Sequence, residues 1–159
     1  MQRLQDTPPF RAGRFIAEGF FGVPLAETEY RDTIHNYFDV IDSVIRKGAV
    51  SARKGEPVVI PFSMSEGAIL GRGKGNSEWN NSAPHGAGRK TARKAARNGL
   101  SLDEYRKEMR GIWSSTVGKD TLDESPMAYK RPKDILDYIG DTVEIEARLK
   151  PLYNFKAGE

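Results

Sequence analysis

A histidine followed by small residues and two bases, His85-Gly86-Ala87-Gly88-Arg89-Lys90, is where this 159-residue chain could make and break bonds. It holds one of only two histidines. A neutral imidazole is a good nucleophile toward phosphorus, and small residues let backbone N–H groups approach an anionic ligand closely. The spacing predicts that the hexapeptide opens a basic helix through Thr91-Ala92-Arg93-Lys94-Ala95-Ala96-Arg97, whose positive end would face the same anion. The pattern points to covalent chemistry of His85 on a nucleotide phosphate. A histidine that only serves a turn has the same local sequence.

Charge is distributed unevenly around this motif. The net charge is only +3, yet no acidic residue lies between Glu78 and Asp103. Arg89, Lys90, Arg93, Lys94 and Arg97 all fall in that gap, and on a helix Arg89, Arg93 and Arg97 share one face. Like charges at that spacing repel. A nucleic-acid backbone would relieve the repulsion, which makes these three arginines candidates for RNA contact; a merely solvated face is the other reading.

The elements that must position the histidine follow from pattern. Residues 1–32 read as an arm, punctuated by Pro8-Pro9, Gly13 and Gly22-Val23-Pro24, with Phe10, Phe15, Phe20 and Phe21 giving it an apolar side. From Thr33 to about Gly73 short β-prone runs (Ile34–Ile41, Val44–Arg46, Ala49–Ala52, Val58–Pro61, Ala68–Leu70) alternate with turn signals, predicting a meander with one buried face. Gly71–Pro84 reads as a loop. After the basic helix, Ser101-Leu102-Asp103-Glu104 is a capping box opening a helix with Leu102, Tyr105, Met109 and Ile112 on one stripe. Val117–Pro126 reads as irregular, and Pro132-Lys133-Asp134 starts a third helix stopped by Gly140. Val143–Leu149 alternates like a strand, with a helix as its competitor. The expected class is α+β, a meander of short strands followed by three helices.

Composition narrows the setting. Hydrophobic residues make up 38% of the chain, mean hydropathy is −0.60, and no run approaches the roughly 20 apolar residues of a membrane helix. The absence of cysteine excludes disulfides and suggests a cytoplasmic protein. It also limits any metal site here to His, Asp, Glu and backbone ligands.

Several motifs in register resemble one family. Asn81-Ser82-Ala83-Pro84-His85-Gly86-Ala87-Gly88-Arg89 is similar to the signature of the RtcB RNA-splicing ligases. So are Val44-Ile45-Arg46-Lys47-Gly48-Ala49, Val59-Ile60-Pro61-Phe62-Ser63-Met64, Glu124-Ser125-Pro126-Met127-Ala128-Tyr129-Lys130 and Lys150-Pro151-Leu152-Tyr153-Asn154-Phe155-Lys156. The likeness runs from about Thr33 to the end and matches the C-terminal catalytic portion of the family, so residues 33–159 form the expected catalytic part and 1–32 an arm without a match.

That resemblance implies GTP- and manganese-dependent joining of an RNA 3′-phosphate or 2′,3′-cyclic phosphate end to a 5′-hydroxyl end, as in tRNA splicing or RNA repair. It implies that His85 becomes guanylylated and that His35 binds manganese. It further implies nucleotide contacts from Pro61, Phe62, Ser63, Met64, Gly86, Ala87 and Gly88, guanine stacking on Tyr129, and contact of Lys156 with the base. Ala68 stands where the family commonly has a base-contacting serine, and Phe62 where many members have glycine. The family's other metal ligands belong to an N-terminal half, so a separate chain is the expected source of that half. The alternatives are a truncated, non-catalytic nucleotide- or RNA-binding module, and a remnant or self-assembling protein that fills the gap by dimerisation.

Overall fold

Alternation of apolar residues in Val58-Val59-Ile60 buries Val58 and Ile60 on one face of a strand and leaves the flanking prolines exposed. This strand and its neighbours build the part that carries the histidine. The computed structural model describes residues 33, 34, 36–154 and 156; the expectations for the 1–32 arm and for His35 lie outside them. The unit is Thr33–Glu159, and its described residues form the expected α+β fold.

Seven strands arise: β1 Asn36–Asp39, β2 Val44–Lys47, β3 Ala49–Ser51, β4 Pro57–Pro61, β5 Ala68–Gly73, β6 Ser82–Pro84 and β7 Val143–Leu149. They are not a simple meander. β1 and β2 form a hairpin, β4-β5-β7 make a three-stranded antiparallel sheet, and β6 returns to pair with β3. One reading of the sequence is corrected by these elements. Gly71–Pro84 is not all loop: β5 runs on to Gly73, Ser77–Trp79 is a 3-10 turn, and Ser82–Pro84 is a strand. The short β6 run Ser-Ala-Pro lacks the β-branched residues that announce a strand; it is held by pairing with Ala49–Ser51. The open choice at Val143–Leu149 resolves to a strand, with a register shift against β5 between Leu70 and Gly71.

Three α-helices follow the strands up to β6: α1 Arg93–Gly99, α2 Leu102–Glu108 and α3 Lys133–Leu136. Helix α1 starts at Arg93, so the hexapeptide does not open it and Arg89 lies outside it. Its N-cap is Ala92, which offers no side-chain acceptor, so the first turn is not extended back toward His85. Helix α2 begins as its cap predicts, Ser101 Oγ accepting from the Glu104 N–H. The stretch read as irregular contains 3-10 turns at Lys119–Glu124 and Pro126–Ala128.

Two apolar clusters support these elements. One joins Val50, Val58, Ile60, Phe62, Ile69, Ala83, Ala87, Ile139 and Val143. The other joins Met64, Tyr105, Met109 and Leu122, with Leu102 and Ile112 packed against it; the helix ends at Glu108, so Met109 and Ile112 reach the cluster from beyond it and not along a helical stripe. The first cluster holds residues from both sides of the histidine, Ala83 and Ala87, so burial fixes where the intervening residues emerge.

Candidate functional site

His85 follows β6 directly, and β6 is positioned by a buried arginine. Arg46, only 2% exposed, donates to Asp39 Oδ2 at 3.3 Å, to the Asn80 carbonyl at 3.0 Å, and to Ser82 Oγ and Asp42. Arg53 adds a fork onto both Asp39 oxygens at 2.6 Å. A buried guanidinium needs this saturation, because each unpaired N–H or carboxylate oxygen would carry its full desolvation cost. The Arg46 network thus ties the β1-β2 hairpin to the strand that delivers His85. The His85 N–H then donates to the Gly48 carbonyl at 3.3 Å. The residue is half-buried and is not enclosed by the apolar core.

The small residues after His85 are used for close approach. The Ala87 N–H donates to the Pro61 carbonyl at 3.1 Å, and a Cβ on Gly86 would stand 3.0 Å from that same oxygen. Gly88 adopts φ +70°, a left-handed turn that side chains disfavour, and nothing lies within 4 Å of where its Cβ would be. The chain then runs antiparallel to Ala128–Lys130. Lys90 N donates to Ala128 O at 2.8 Å, Lys130 N to Gly88 O at 3.0 Å, and Arg89 and Tyr129 form an isolated bridge.

Tyr129 sits in a charged cluster. The Arg89 guanidinium lies 5.1 Å from its ring centroid and 3.2 Å from its hydroxyl. That hydroxyl donates to Glu124 Oε2, and Lys156 Nζ lies 3.6 Å from the same oxygen. Burial pushes the Tyr129 phenol up, and the Glu124 hydrogen bond and charge add to it, to about 12. Burial works to raise the Glu124 carboxyl too, but Tyr129, Lys156 and Arg93 outweigh it and hold the group below its ordinary value.

The three arginines converge, but not as a free stripe. Arg93 binds Asp123 Oδ2 at 2.8 Å and Glu124, Arg97 binds Asp123 Oδ1 at 3.1 Å, and Arg89 reaches Glu124 at 3.4 Å. The repulsion expected along this face is therefore relieved within the chain, by acids from the turn at Lys119–Glu124. Burial opposes ionisation of Asp123, and Arg93 and Arg97 overcome it, holding its carboxyl below the usual range. Arg93 remains 52% exposed.

The loop after β4 lies beside these groups. Phe62 N donates to Gly67 O at 2.8 Å, and Ser63 Oγ accepts from Glu66 N at 3.3 Å. Ser63 is half-buried and Pro61 exposed, whereas Phe62, Met64 and Ala87 are buried. The latter three can meet a ligand only through backbone groups. Met64 Sδ accepts from the Tyr105 hydroxyl at 2.9 Å, and its carbonyl accepts from Asn154 Nδ2 at 3.2 Å. Asn154 in turn lies two residues before Lys156. Ala68 pairs with Pro61 across the sheet. The structure therefore links the Pro61–Met64 loop, the His85–Gly88 loop, Tyr129 and Lys156 through direct contacts.

Among the described residues no group of three or more His, Asp or Glu side chains is arranged to hold a metal ion. The donors present here do not fit a manganese site by themselves, and His35 lies outside the described residues. No helix of the described residues is long and apolar enough to cross a membrane.

Arg46, Asp123 and Glu124 were not read from the sequence as site residues. Alternation in Val44-Ile45-Arg46 puts Arg46 and Ile45 on opposite faces, but residue type would turn Ile45 inward, whereas Arg46 is the buried one and Ile45 is exposed. No local signal pointed to Asp123-Glu124, because the arginines they neutralise lie 26 to 35 residues away.

Comparison with known proteins identifies the family. A family model described as tRNA-splicing ligase RtcB matches residues 23–157. The RNA-splicing ligase RtcB of Escherichia coli (strain K12) is 39% identical over 104 residues, which are 64% of this chain and 25% of that protein. The tRNA-splicing ligases RtcB of Pyrococcus horikoshii and Thermococcus kodakarensis are 31% and 32% identical over 105 residues, covering 62% of this chain and 12% and 22% of theirs. The chain spans about a quarter or less of the length of these relatives. With a family match over most of its length, the chain belongs to the RtcB family and corresponds to its C-terminal portion.

Proposed function

We propose that the chain carries the nucleotide-transfer residues of an RtcB-type RNA ligase, acting in RNA ligation as in tRNA splicing or RNA repair, with His85 as nucleophile and GTP as substrate. The observation that carries this reading is the contact chain joining the His85 loop, the Pro61 carbonyl, Tyr129, Glu124 and Lys156. An imidazole nitrogen attacks the α-phosphorus, an N–P bond forms, the bond to the bridging oxygen breaks, and pyrophosphate leaves with that electron pair. The imidazole's N–H proton passes to solvent. The RNA 3′-phosphate then takes GMP from His85, and the 5′-hydroxyl displaces GMP as the phosphodiester forms.

The chain's own groups prepare this chemistry. Gly86 and Gly88 let the backbone approach phosphate oxygens, and Ser63 offers a hydroxyl. Tyr129, half-buried against the first apolar cluster with Arg89 over its ring, offers the accessible part of the ring to guanine. Lys156, held near Glu124, supplies an N–H donor to the base. Arg93, half exposed, keeps N–H donors for an RNA phosphate, with Arg89 and Arg97 behind it. Manganese would neutralise phosphate charge, and its ligands must come largely from the N-terminal portion of a family member, with His35 as this chain's contribution.

The test is ligation of RNA carrying a 3′-phosphate to RNA carrying a 5′-hydroxyl, with GTP and manganese. The chain is assayed alone and with the N-terminal portion of a relative. Ligation that appears on adding that portion and vanishes in His85→Ala supports the split enzyme. No ligation with either mixture, while the chain binds RNA equally with His85→Ala, favours a binding module.

A further inference from the structure

An apolar cavity of about 360 Å³ opens beside the histidine strand, lined by Trp79, Pro84, Asp134, Ile135, Tyr138 and Ile139 among others. None of these residues belongs to the nucleotide cluster described above. Two of its aromatic walls are highly accessible: Trp79 is 59% exposed and Tyr138 80% exposed. They come from distant parts of the chain, Trp79 from the 3-10 turn at Ser77–Trp79 and Tyr138 from just beyond α3.

The backbone that carries Trp79 is held in place, the Trp79 N–H donating to the Asn76 carbonyl at 3.2 Å. Asn76 Oδ1 accepts from Glu78 N at 3.0 Å, Asn76 Nδ2 donates to the Asp141 carbonyl at 3.3 Å, and buried Arg46 grips the Asn80 carbonyl. A large aromatic on an anchored turn, exposed at the mouth of an apolar cavity, offers its face to a flat partner. The cavity also adjoins the nucleophile. Pro84 precedes His85, and Gly48, whose carbonyl takes the His85 N–H, lines the same cavity.

We propose that this cavity seats a nucleobase of the RNA strand brought to His85, stacked against Trp79 and Tyr138, an inference that rests on the RNA-ligase reading. The volume suits one base with part of its ribose. The one charged group in the lining, Asp134, already accepts from the Arg131 N–H at 3.1 Å and the Arg131 guanidinium at 3.4 Å. The apolar lining disfavours phosphate, and the lone pairs that Asp134 keeps beside Arg131 accept N–H, which turns the sugar-phosphate outward and the base inward. Bases with an exocyclic amino group (adenine, cytosine, guanine) therefore fit better than uracil, whose N3–H lies between two carbonyl oxygens.

The test uses the full chain with Trp113→Phe, which leaves Trp79 as the single tryptophan. Short RNAs ending in a 3′-phosphate should quench Trp79 emission saturably, and those ending in uridine should bind more weakly than those ending in adenosine, cytidine or guanosine. Tyr138→Ala, at a position too exposed to matter for folding, and Trp79→Ala should each weaken RNA binding about fivefold to a hundredfold. Unchanged emission while RNA is bound, variants that bind as well as the parent, or no RNA binding would each overturn the proposal. So would emission that responds only to an added protein chain. GTP labelling of His85 in the unsubstituted chain, with manganese and the N-terminal portion of a relative present, is scored separately: its failure sinks the nucleophile assignment and leaves the base-binding result intact, and the converse holds.

Discussion

Replacing Glu124 by glutamine removes one charge from the point where Tyr129, Arg89, Arg93 and Lys156 meet. The Glu124 side chain is only 11% exposed, so its partners are not easily replaced by water. A hydrogen bond to a charged group contributes about 1.5–3 kcal/mol. Arg93 and Lys156, however, are 52% and 38% exposed and regain solvent when released, which reduces their share to about 0–1 kcal/mol each. Glutamine still accepts from the Tyr129 hydroxyl. The expected loss is therefore about 1–2 kcal/mol for Glu124→Gln and about 3 kcal/mol for Glu124→Ala, which also strands the Tyr129 O–H. Urea denaturation measures both, with the midpoint shifting and the slope unchanged. A second readout isolates the cause. The Tyr129 phenol, pushed up to about 12, should titrate lower in Glu124→Gln yet stay above its ordinary value of 10.0, because burial remains. Spectrophotometric titration against Tyr129→Phe resolves it. An unmoved Tyr129 titration, or a glutamine variant as stable as the parent, would refute the placement of Glu124 at the centre of the cluster.

Three further outcomes are expected. Arg46→Ala should cost about 2–4 kcal/mol, from the space the buried side chain leaves and the donor lost to the Asn80 carbonyl and Ser82 Oγ, while Arg53 still pairs Asp39 and Asp42; hydrogen exchange should show lost protection at Ser82 and Ala83, and retained protection there would contradict the pinning role. Gly67→Ala should cost about 1–2 kcal/mol for its φ of +76°, and about 1–3 kcal/mol more for overpacking, since the new Cβ would stand 2.0 Å from the Leu149 carbonyl; thermal denaturation checks it. On acidification, Asp123 and Glu124 have folded-state values held below their ordinary 3.8 and 4.5. Their contribution is fully present above those ordinary values and is lost as pH falls through the depressed ones. Stability should be level down to about pH 5 and then decline, and a decline on the alkaline side of pH 5 instead would contradict the assignment.

Much of the fold was legible because it rests on local periodicity. The cap at Ser101 and the apolar Leu102 and Tyr105 yielded the start of α2 as read, although the helix ends at Glu108 and Met109 and Ile112 join the same cluster from beyond it; Val58 and Ile60 yielded β4. Long-range pairing was not legible. Nothing in Ser82-Ala83-Pro84 favours a strand until Ala49–Ser51 lies beside it, and the start of α1 moved to Arg93 because no capping side chain precedes it. The site divides in the same way. His85 stood out by residue type and spacing, whereas the acids that neutralise Arg93 and Arg97 come from another segment, and the acid-free run around them reads alone as an unpaired basic face. Phe62, Met64 and Ala87 show a further limit. Their motif places them beside the nucleotide, while the packing commits their side chains to the core.

The most direct measurement is incubation of the chain with GTP labelled at the α-phosphate, with and without the N-terminal portion of a relative. Mass spectrometry then locates the label. The account predicts one GMP on His85, released by mild acid as expected for an N–P bond and absent in His85→Ala. Label at another residue, or labelling that survives His85→Ala, would contradict it.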